Sequence, residues 1–321
     1  MNTSLPSKKN QSDLESGALG DLVSTVKGTV LPNEPLSRHT SYGIGGPALA
    51  FIWPLDTDDL KTVLTQARTS NVPVFFIGSG SNLLVSDEGF PGIVISLVKH
   101  FKTMRIDGTR VYAQTGTMMG HFVKECFKHN LAGVESLIGV PGTLGGAIRM
   151  NAGAYGREIS NSLISLDVMT LDGEEKSYRK QDLSFDYRSS SLEENEVVLA
   201  GHFEFKKGNS REIQVLRDRA SRSRKTTQPL RFRSAGSVFK NPSAETAAGY
   251  LIDKAGLKGS HRGDAEISPK HANFFINHGK ASSEDVVWLI RLARKTVSEK
   301  FGVDLDLEIR TLGFPEGYLD P

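Results

Sequence analysis

The chain has 321 residues, of which 38% are hydrophobic and 24% charged, and its formal net charge is +2. This composition predicts a soluble globular protein of two or three domains, and the near-balanced charge gives no indication of a nucleic-acid partner. The single cysteine, Cys126, excludes an intramolecular disulfide and a multi-cysteine metal site. No apolar run approaches the roughly 18 residues that insertion into a membrane requires.

The N-terminal part of the chain is predicted to alternate between strands and a few helices. Residues 1–20 are polar and lack the apolar centre of a secretion signal, so they are expected to be a disordered extension. From residue 21 to about 97, short strands surround a helix that begins in the acidic sequence DTDD. Residues 98–208 are mostly strands with one helix, at about residues 117–129, in which Cys126 is predicted to be a packed core thiol.

The composition changes after the sequence Lys-Lys-Gly that ends at residue 208, and a domain boundary is therefore expected near residue 209. The second domain is predicted over residues 209–314, followed by a C-terminal tail at residues 315–321. It begins with a charged helix and ends with a long one, for which Ser282 and Asp285 form an approximate capping box.

Two glycine-rich segments carry the strongest chemical signal. The first, FFIGSGSNLLVSD at residues 75–87, starts like a dinucleotide fingerprint but lacks its third glycine. The second, residues 133–156, holds seven glycines in 24 positions. Glycine permits positive φ and lets amide N–H groups approach a diphosphate or a flavin edge, although tight turns between strands use glycine too. Neither segment fits a P-loop or a Rossmann unit.

Together with HTSYGIGGPA at residues 39–48, these segments resemble the flavin-binding half of the UDP-N-acetylenolpyruvoylglucosamine reductases, also called UDP-N-acetylmuramate dehydrogenases. The resemblance continues in order through FDYRSSS, SAGSVFKNP, AGYLIDKAGLKG, ISPKHANFFIN and LEIRTLG. It implies an α+β protein with a two-subdomain FAD-binding fold of the vanillyl-alcohol-oxidase (PCMH) type at residues 21–208. The subdomains would divide near residue 97, and residues 209–314 would form an α+β substrate-binding domain.

The same resemblance implies a function. The protein would hold FAD noncovalently, take hydride from NADPH and reduce UDP-N-acetylglucosamine-enolpyruvate to UDP-N-acetylmuramate, a cytoplasmic step of peptidoglycan synthesis. A monomer or weak oligomer without a metal is expected. The residues expected to hold FAD are Gly78, Ser79, Gly80, Ser81, Asn82, Leu83, Pro141, Gly142, Thr143, Gly145, Gly146, Asn151, Ala152 and Gly153.

Three residues match the catalytic positions of this family. Ser237 matches the residue that protonates C2 of the enol ether after hydride has reached C3, and positioning must make its weakly acidic hydroxyl donate. Arg188 matches the arginine that binds the substrate carboxylate and stabilises the enolate, a task that suits its bidentate fork. Glu308 matches the acidic partner across the site. Judged without the motifs, each would more often be a turn or surface residue.

Further residues match positions that approach the UDP-sugar in this family. These are Tyr155, Tyr187, Arg188, Asn241, Lys258 and His271. A basic run that includes Arg217, Arg219, Arg222 and Arg224 is predicted to be a solvated helix face, with a surface that attracts the diphosphate as the alternative. Only 49 positions separate Arg188 from Ser237. This spacing resembles the shorter of the two structural classes of the family, which lacks an extra tyrosine-bearing loop.

Two other functions stay open at this point. A flavoprotein oxidase of small alcohols or lactones with the same flavin-binding fold would need only the N-terminal half of the motifs. A noncatalytic nucleotide-sugar-binding protein is the second alternative, and the joint presence of Ser237, Arg188 and Glu308 argues against it.

Overall fold

The structure is a computed structural model that describes Gly17, Gly20 and residues 22–321. Apart from those two glycines, the predicted N-terminal extension at residues 1–20 lies outside the described residues. In the part of the chain that is described, no helix combines the length and the apolar character needed to cross a lipid bilayer.

The helices and strands are numbered here in chain order over residues 29–312. The α-helices are α1 (Thr57–Thr69), α2 (Met119–Lys128), α3 (Leu144–Arg149), α4 (Ser210–Thr227), α5 (Ala248–Lys254) and α6 (Ser283–Phe301). The strands are β1 (Thr29–Pro32), β2 (Ala48–Trp53), β3 (Val74–Ile77), β4 (Leu83–Val85), β5 (Phe90–Ser96), β6 (Met104–Asp107), β7 (Arg110–Gln114), β8 (Leu131–Ala132), β9 (Gly153–Ala154), β10 (Arg157–Glu158), β11 (Leu163–Thr170), β12 (Glu175–Arg179), β13 (Phe185–Asp186), β14 (Ser189–Ser190), β15 (Glu196–Glu204), β16 (Lys206–Lys207), β17 (His261–Arg262), β18 (Ala265–Ile267), β19 (Phe275–Asn277) and β20 (Arg310–Leu312).

The first subdomain is a four-stranded sheet in the order β1-β2-β5-β3, in which β2, β5 and β3 run parallel. Helix α1 covers one face through the apolar stripe of Leu60, Val63 and Leu64, which are at most 2% exposed. The side chain of Asp56 accepts a hydrogen bond from the Asp59 N–H at 2.9 Å and caps this helix. The predicted helix is confirmed, because its start depends on local capping and periodicity.

The second subdomain is a five-stranded antiparallel sheet in the order β12-β11-β15-β7-β6. Helices α2 and α3 pack on it through a core that includes Phe122, Ile148 and Phe203. Cys126 belongs to the same core and is fully buried, and burial raises the pKa of its thiol to about 12. The prediction of a packed core thiol is confirmed.

The C-terminal region packs the small sheet β17-β18-β19 against α5 and α6. Helix α6 has the predicted capping box of Ser282 and Asp285, and it ends at Gly302 with a φ of +65°. Residues 315–321, predicted to be a tail, lie against this helix, where Arg294 pairs with Asp320 at 2.6 Å. Helix α4 contacts the second subdomain at the 3-10 turn Glu135–Leu137, so the boundary near residue 209 stays a prediction.

One strand pairing places the first glycine-rich turn beside the C-terminal region. Strand β20 pairs parallel with β4, which follows that turn directly. At the other end of this segment, the Asp87 carboxylate accepts hydrogen bonds from the Ser283 N–H at 2.6 Å and from the Ser283 hydroxyl at 2.9 Å. Residues far apart in the sequence therefore meet around residues 78–87.

Candidate active site

The two glycine-rich turns, residues 78–83 and 141–146, lie against each other. A Cβ placed on Gly78 would be 2.5 Å from the Thr143 hydroxyl oxygen. A Cβ on Gly142 would be 3.2 Å from the Ser81 hydroxyl oxygen. Because such distances leave no room for larger side chains, glycine is needed for the two turns to meet and form one cradle.

The first turn has the geometry of an anion nest. Gly80 has a φ of +63°, and a Cβ there would be 2.0 Å from the His39 carbonyl oxygen. The backbone N–H groups of Ser79, Gly80 and Ser81 have no acceptor within the described residues. The Ser79 hydroxyl is buried and has no hydrogen-bond partner there either. Successive free N–H groups around a left-handed residue suit a phosphate.

The second turn differs from the expectation based on its glycines. The Gly145 N–H donates to the Thr115 carbonyl oxygen at 2.9 Å, and the Gly146 N–H donates to the Thr143 hydroxyl at 3.4 Å. These amide groups therefore do not form a second anion nest, because the chain itself supplies their acceptors. In the described residues, the polar atoms left buried without a partner near this turn are instead the hydroxyls of Thr117 and Ser136 and the Asn151 side-chain oxygen.

Asn151 connects this second segment to the predicted catalytic residues. It is fully buried with a φ of +41°. Its amide nitrogen donates to Glu158 at 2.7 Å and to the Asp186 carbonyl oxygen at 3.0 Å. Asp186 ends β13, and the hairpin turn Tyr187-Arg188 follows it. The cradle and this hairpin are therefore joined by one side chain.

The residues of the cradle fit FAD. The nest and the buried Ser79 hydroxyl can bind a diphosphate, and the open Thr117 and Asn151 atoms can bind polar edges of a ring or ribityl chain. Thr117 was not among the predicted cofactor residues, because a threonine just before a helix is usually interpreted as a cap.

Arg188 and Glu308 form an ion pair beside the cradle. The Arg188 Nε donates to the Glu308 carboxylate at 2.6 Å, and the two side chains are 21% and 16% exposed. Arg188 has a φ of +58°, which costs a residue with a side chain about 1–2 kcal/mol. Its guanidinium lies 4.8 Å from the centre of the Tyr187 ring. Burial raises the pKa of Glu308, and the nearby charges of Arg188 and Lys240 oppose that rise.

Ser237 directly precedes the residue that holds the Glu308 backbone. Its turn contains Gly236 with a φ of +79°, and the Glu308 N–H donates to the carbonyl oxygen of the next residue, Val238, at 2.8 Å. The Ser237 hydroxyl has no hydrogen-bond partner within the described residues, while the backbone around it is held by the buried side chain of Asn273. A positioned hydroxyl with a free hydrogen is what a proton donor requires.

Four of the predicted substrate residues surround helix α5. The Asn241 side chain accepts from the Ala248 N–H at 3.1 Å, and the Asn241 N–H donates to the Tyr187 hydroxyl at 3.4 Å. Lys258 pairs with Asp253 of this helix at 2.6 Å. The His271 ring packs against Gly249, and burial together with the nearby Lys258 charge lowers its pKa. The hydrogen bond from Asn241 to Tyr187 links this group to Arg188.

Arg224 is the main departure from the sequence prediction. Its Nε is buried and has no hydrogen-bond partner among the residues that the structure describes, so the prediction of a solvated helix face is wrong for this residue. The aliphatic part of the Arg224 side chain passes Gly139, and a Cβ placed on that glycine would be 3.1 Å from the Arg224 Cδ. Burial lowers the pKa of Arg224, and the like charge of Arg188 adds to this effect. The predicted substrate residue Tyr155 lies near it and is 58% exposed.

Comparison with known proteins decides the family. Residues 47–178 match the family model "FAD binding domain", and residues 228–312 match "UDP-N-acetylenolpyruvoylglucosamine reductase, C-terminal domain". UDP-N-acetylenolpyruvoylglucosamine reductase 2 of Bacillus cereus is 40% identical over 296 residues, which cover 91% of this chain and 96% of that protein. The chain belongs to the UDP-N-acetylenolpyruvoylglucosamine reductase family.

Two further relatives agree with this assignment. The reductase of Clostridium novyi is 42% identical over 87% of this chain and 90% of its own length. The crystal structure of the reductase from Thermus caldophilus superposes with a TM-score of 0.77 and 36% identity, covering 89% of this chain and 99% of that one. The predicted family and the predicted α+β fold, an FAD-binding domain followed by a C-terminal domain, are confirmed.

Lys240 lies near the candidate site but was not among the residues predicted from the sequence. The Lys240 N–H donates to the Asp306 carbonyl oxygen at 2.8 Å, and Phe239 forms an isolated bridge with Leu307. This pairing brings Lys240 close to Glu308, whose pKa the lysine charge lowers. The sequence feature that could have identified Lys240 was its place in the motif SAGSVFKNP, three residues after Ser237.

Proposed function

We propose that the protein reduces the enolpyruvyl ether of UDP-N-acetylglucosamine-enolpyruvate to UDP-N-acetylmuramate in the cytoplasm, with FAD as bound cofactor and NADPH as hydride donor. The observation that carries this proposal is the meeting of Arg188, Glu308 and a free Ser237 hydroxyl at the border of a flavin cradle. An oxidase or a simple binding protein would not need these three groups together.

The cofactor would be held by the first turn, through the free N–H groups of residues 79–81, and by Thr117 and Asn151. Bound FAD supplies the hydride that reduces the enol ether. Gly80 contributes by letting the backbone approach His39 closely, and Gly142 by adopting a φ of +119° that residues with side chains rarely adopt. The remaining predicted cofactor residues lie in the same two turns and in the segment around Asn151.

Arg188 would bind the substrate carboxylate. Only its Nε is engaged by Glu308, so both terminal nitrogens of the guanidinium are open for a bidentate pair. Glu308 thereby fixes the plane of the guanidinium. As negative charge develops on the carboxylate and C2, this fixed cation stabilises it without having to reorganise.

Ser237 would deliver the proton to C2. Its O–H bond breaks as the new C2–H bond forms, and the oxygen recovers a proton from water. The cations of Arg188 and Lys240 act on the nearby Glu308 carboxylate, and the same charges would favour the serine oxygen when it is negatively charged.

The UDP part of the substrate would lie along Arg224 and helix α5. Arg224 is a partly buried cation with an unpaired Nε, and an unpaired buried charge gains most from an anionic ligand. Arg224 would therefore attract the diphosphate, which was the alternative interpretation of the basic run in the sequence. Tyr155, Tyr187, Asn241, Lys258 and His271 would contact the remaining polar groups of the sugar nucleotide.

Anaerobic mixing of the purified protein, loaded with FAD, tests this function directly. We expect NADPH to bleach the flavin absorbance and the enolpyruvyl UDP-sugar to restore it without oxygen. Restoration by oxygen but not by the UDP-sugar would indicate the oxidase alternative. A protein that cannot be loaded with FAD would overturn the proposal.

A further inference from the structure

The backbone of Glu308 is held from two opposite directions. Its N–H donates at 2.8 Å to the carbonyl oxygen of Val238, the residue after Ser237. Its carbonyl oxygen accepts from the side-chain amide of Asn82 at 3.0 Å, across 226 positions of sequence. The Arg310 N–H in turn donates to the Asn82 carbonyl oxygen at 2.9 Å. Asn82 is therefore the residue at which the flavin turn contacts the peptide unit of Glu308.

We propose that Asn82 is a positioning residue for the reduction of the UDP-sugar: its amide holds the Glu308 peptide in place and thereby sets the direction of the Arg188–Glu308 ion pair. This inference rests on the proposed function. It assigns the Asn82 side chain to the substrate half of the reaction, whereas the sequence places it only among residues that hold FAD.

The physical reason lies in the geometry of the pair. The carboxylate of Glu308 accepts only from the Arg188 Nε in the described part of the chain, so its position depends on its own backbone. If the carbonyl contact to Asn82 is lost, this peptide unit keeps only the longer hydrogen bond from the Ile309 N–H to the Val238 carbonyl oxygen at 3.3 Å, so it can tilt and carry the carboxylate with it. Displacements of about 1 Å at a reacting centre can slow catalysis by about a hundredfold.

The segment offers a matched control at its other end. Ser283 and Asp87 also join residues 78–87 to the C-terminal region, through the Ser283 hydroxyl at 2.9 Å. Ser283 is 3% exposed and has no contact with Glu308. Ser283→Ala therefore loosens the same junction without touching the ion pair, and it separates general weakening from positioning.

The test uses FAD-loaded protein at saturating FAD and measures the two half-reactions separately. Asn82→Ala and the isosteric Asn82→Asp both remove the amide donor. We expect flavin reduction by NADPH at the wild-type rate and reoxidation by the enolpyruvyl UDP-sugar slowed between about tenfold and a hundredfold. Ser283→Ala is expected to lower the melting temperature and to reoxidise at the wild-type rate.

A pH series supplies a readout that a structural role would not change. The protonated carboxyl of Asn82→Asp can donate to the Glu308 carbonyl again, so its reoxidation defect should shrink at acidic pH. Asn82→Ala cannot recover in this way. The quantity to follow is the ratio of the reoxidation rates of the two variants. The titration of Glu308 beside Arg188 and Lys240 affects both rates.

Several results would overturn the inference. Equal slowing of both half-reactions, or loss of FAD binding in both Asn82 variants, would make Asn82 a flavin ligand only. Parallel pH profiles of the Asp and Ala variants would show that the donated hydrogen bond is unimportant. Failure of the wild-type protein to reoxidise with the UDP-sugar would overturn the proposed function instead, whatever the variants do.

Discussion

The flavin cradle and the substrate side of the site differ in what the chain leaves unsatisfied. In the cradle, Ser79, Thr117 and Asn151 each bury a polar atom without a partner. On the substrate side, only the Arg224 Nε is left in this way among the described residues, while Glu308 and Lys258 already have protein partners at 2.6 Å. A buried polar group without a partner costs about 1–3 kcal/mol. We therefore expect the cradle to retain its ligand, whereas the groups of the substrate that meet Glu308 and Lys258 have to share or displace existing partners and can exchange more readily.

The largest effect should come from removing the free hydroxyl of Ser237. Ser237→Ala leaves the cradle intact, so NADPH should still reduce the flavin, while reoxidation by the UDP-sugar should slow by about 10² to 10⁴-fold. Stopped-flow absorbance measures both rates. Ser298→Ala, which removes a hydroxyl bonded to Asp304 at 3.0 Å on α6, is the control. Wild-type reoxidation in Ser237→Ala would end its role as proton donor.

Arg188→Lys should give the next largest effect. A lysine ammonium cannot both bond to Glu308 and present a planar fork to a carboxylate, so reoxidation should fall by about a hundredfold. The same substitution at Arg110, whose surface pair with Glu204 spans 3.1 Å, should leave turnover unchanged. Normal turnover in Arg188→Lys would reduce Arg188 to a structural contact.

Gly80→Ala tests the cradle side. The added Cβ meets the His39 carbonyl oxygen at 2.0 Å, and the left-handed backbone costs about 1–2 kcal/mol more. We expect FAD affinity to fall by about tenfold or more, as measured by flavin fluorescence on titrating the apoprotein. Gly108→Ala carries the same strain, with a φ of +59° and nothing within 4 Å, and should keep its FAD affinity. Equal affinities in the two variants would contradict the role of the first turn.

A contrast between local and distant contacts explains which features the sequence could predict. The cap of α6 at Ser282 and the helix after Asp56 depend on neighbours within four residues, so periodicity and capping predict them. The Arg188–Glu308 pair joins residues 120 positions apart, and only the resemblance to a family brought them together beforehand. The burial of the Arg224 Nε was not predicted, because an arginine in a basic run is usually solvated, although it lies one turn after Ala220, which is buried with Ile213 on the inner side of this helix.

The smallest expected effect concerns the titration of Glu308, and it shows which cations act on the substrate side. Burial raises the pKa of this carboxyl, while Arg188 and, more weakly, Lys240 lower it. Removing either cation should therefore raise the pKa of Glu308 further, and Arg188→Gln should raise it more than Lys240→Met.

A carbon NMR titration of glutamate-labelled protein, with the Glu308 signal assigned through Glu308→Gln, measures this order. Lys258→Met is the matched control, because its ammonium pairs with Asp253 rather than with Glu308. Since a higher pKa leaves Glu308 protonated over a wider range, Lys240→Met should also move the acidic limb of the reoxidation profile to higher pH. An unchanged Glu308 titration in Lys240→Met would remove Lys240 from the site and leave Arg188 as the cation that sets the charge of this carboxylate.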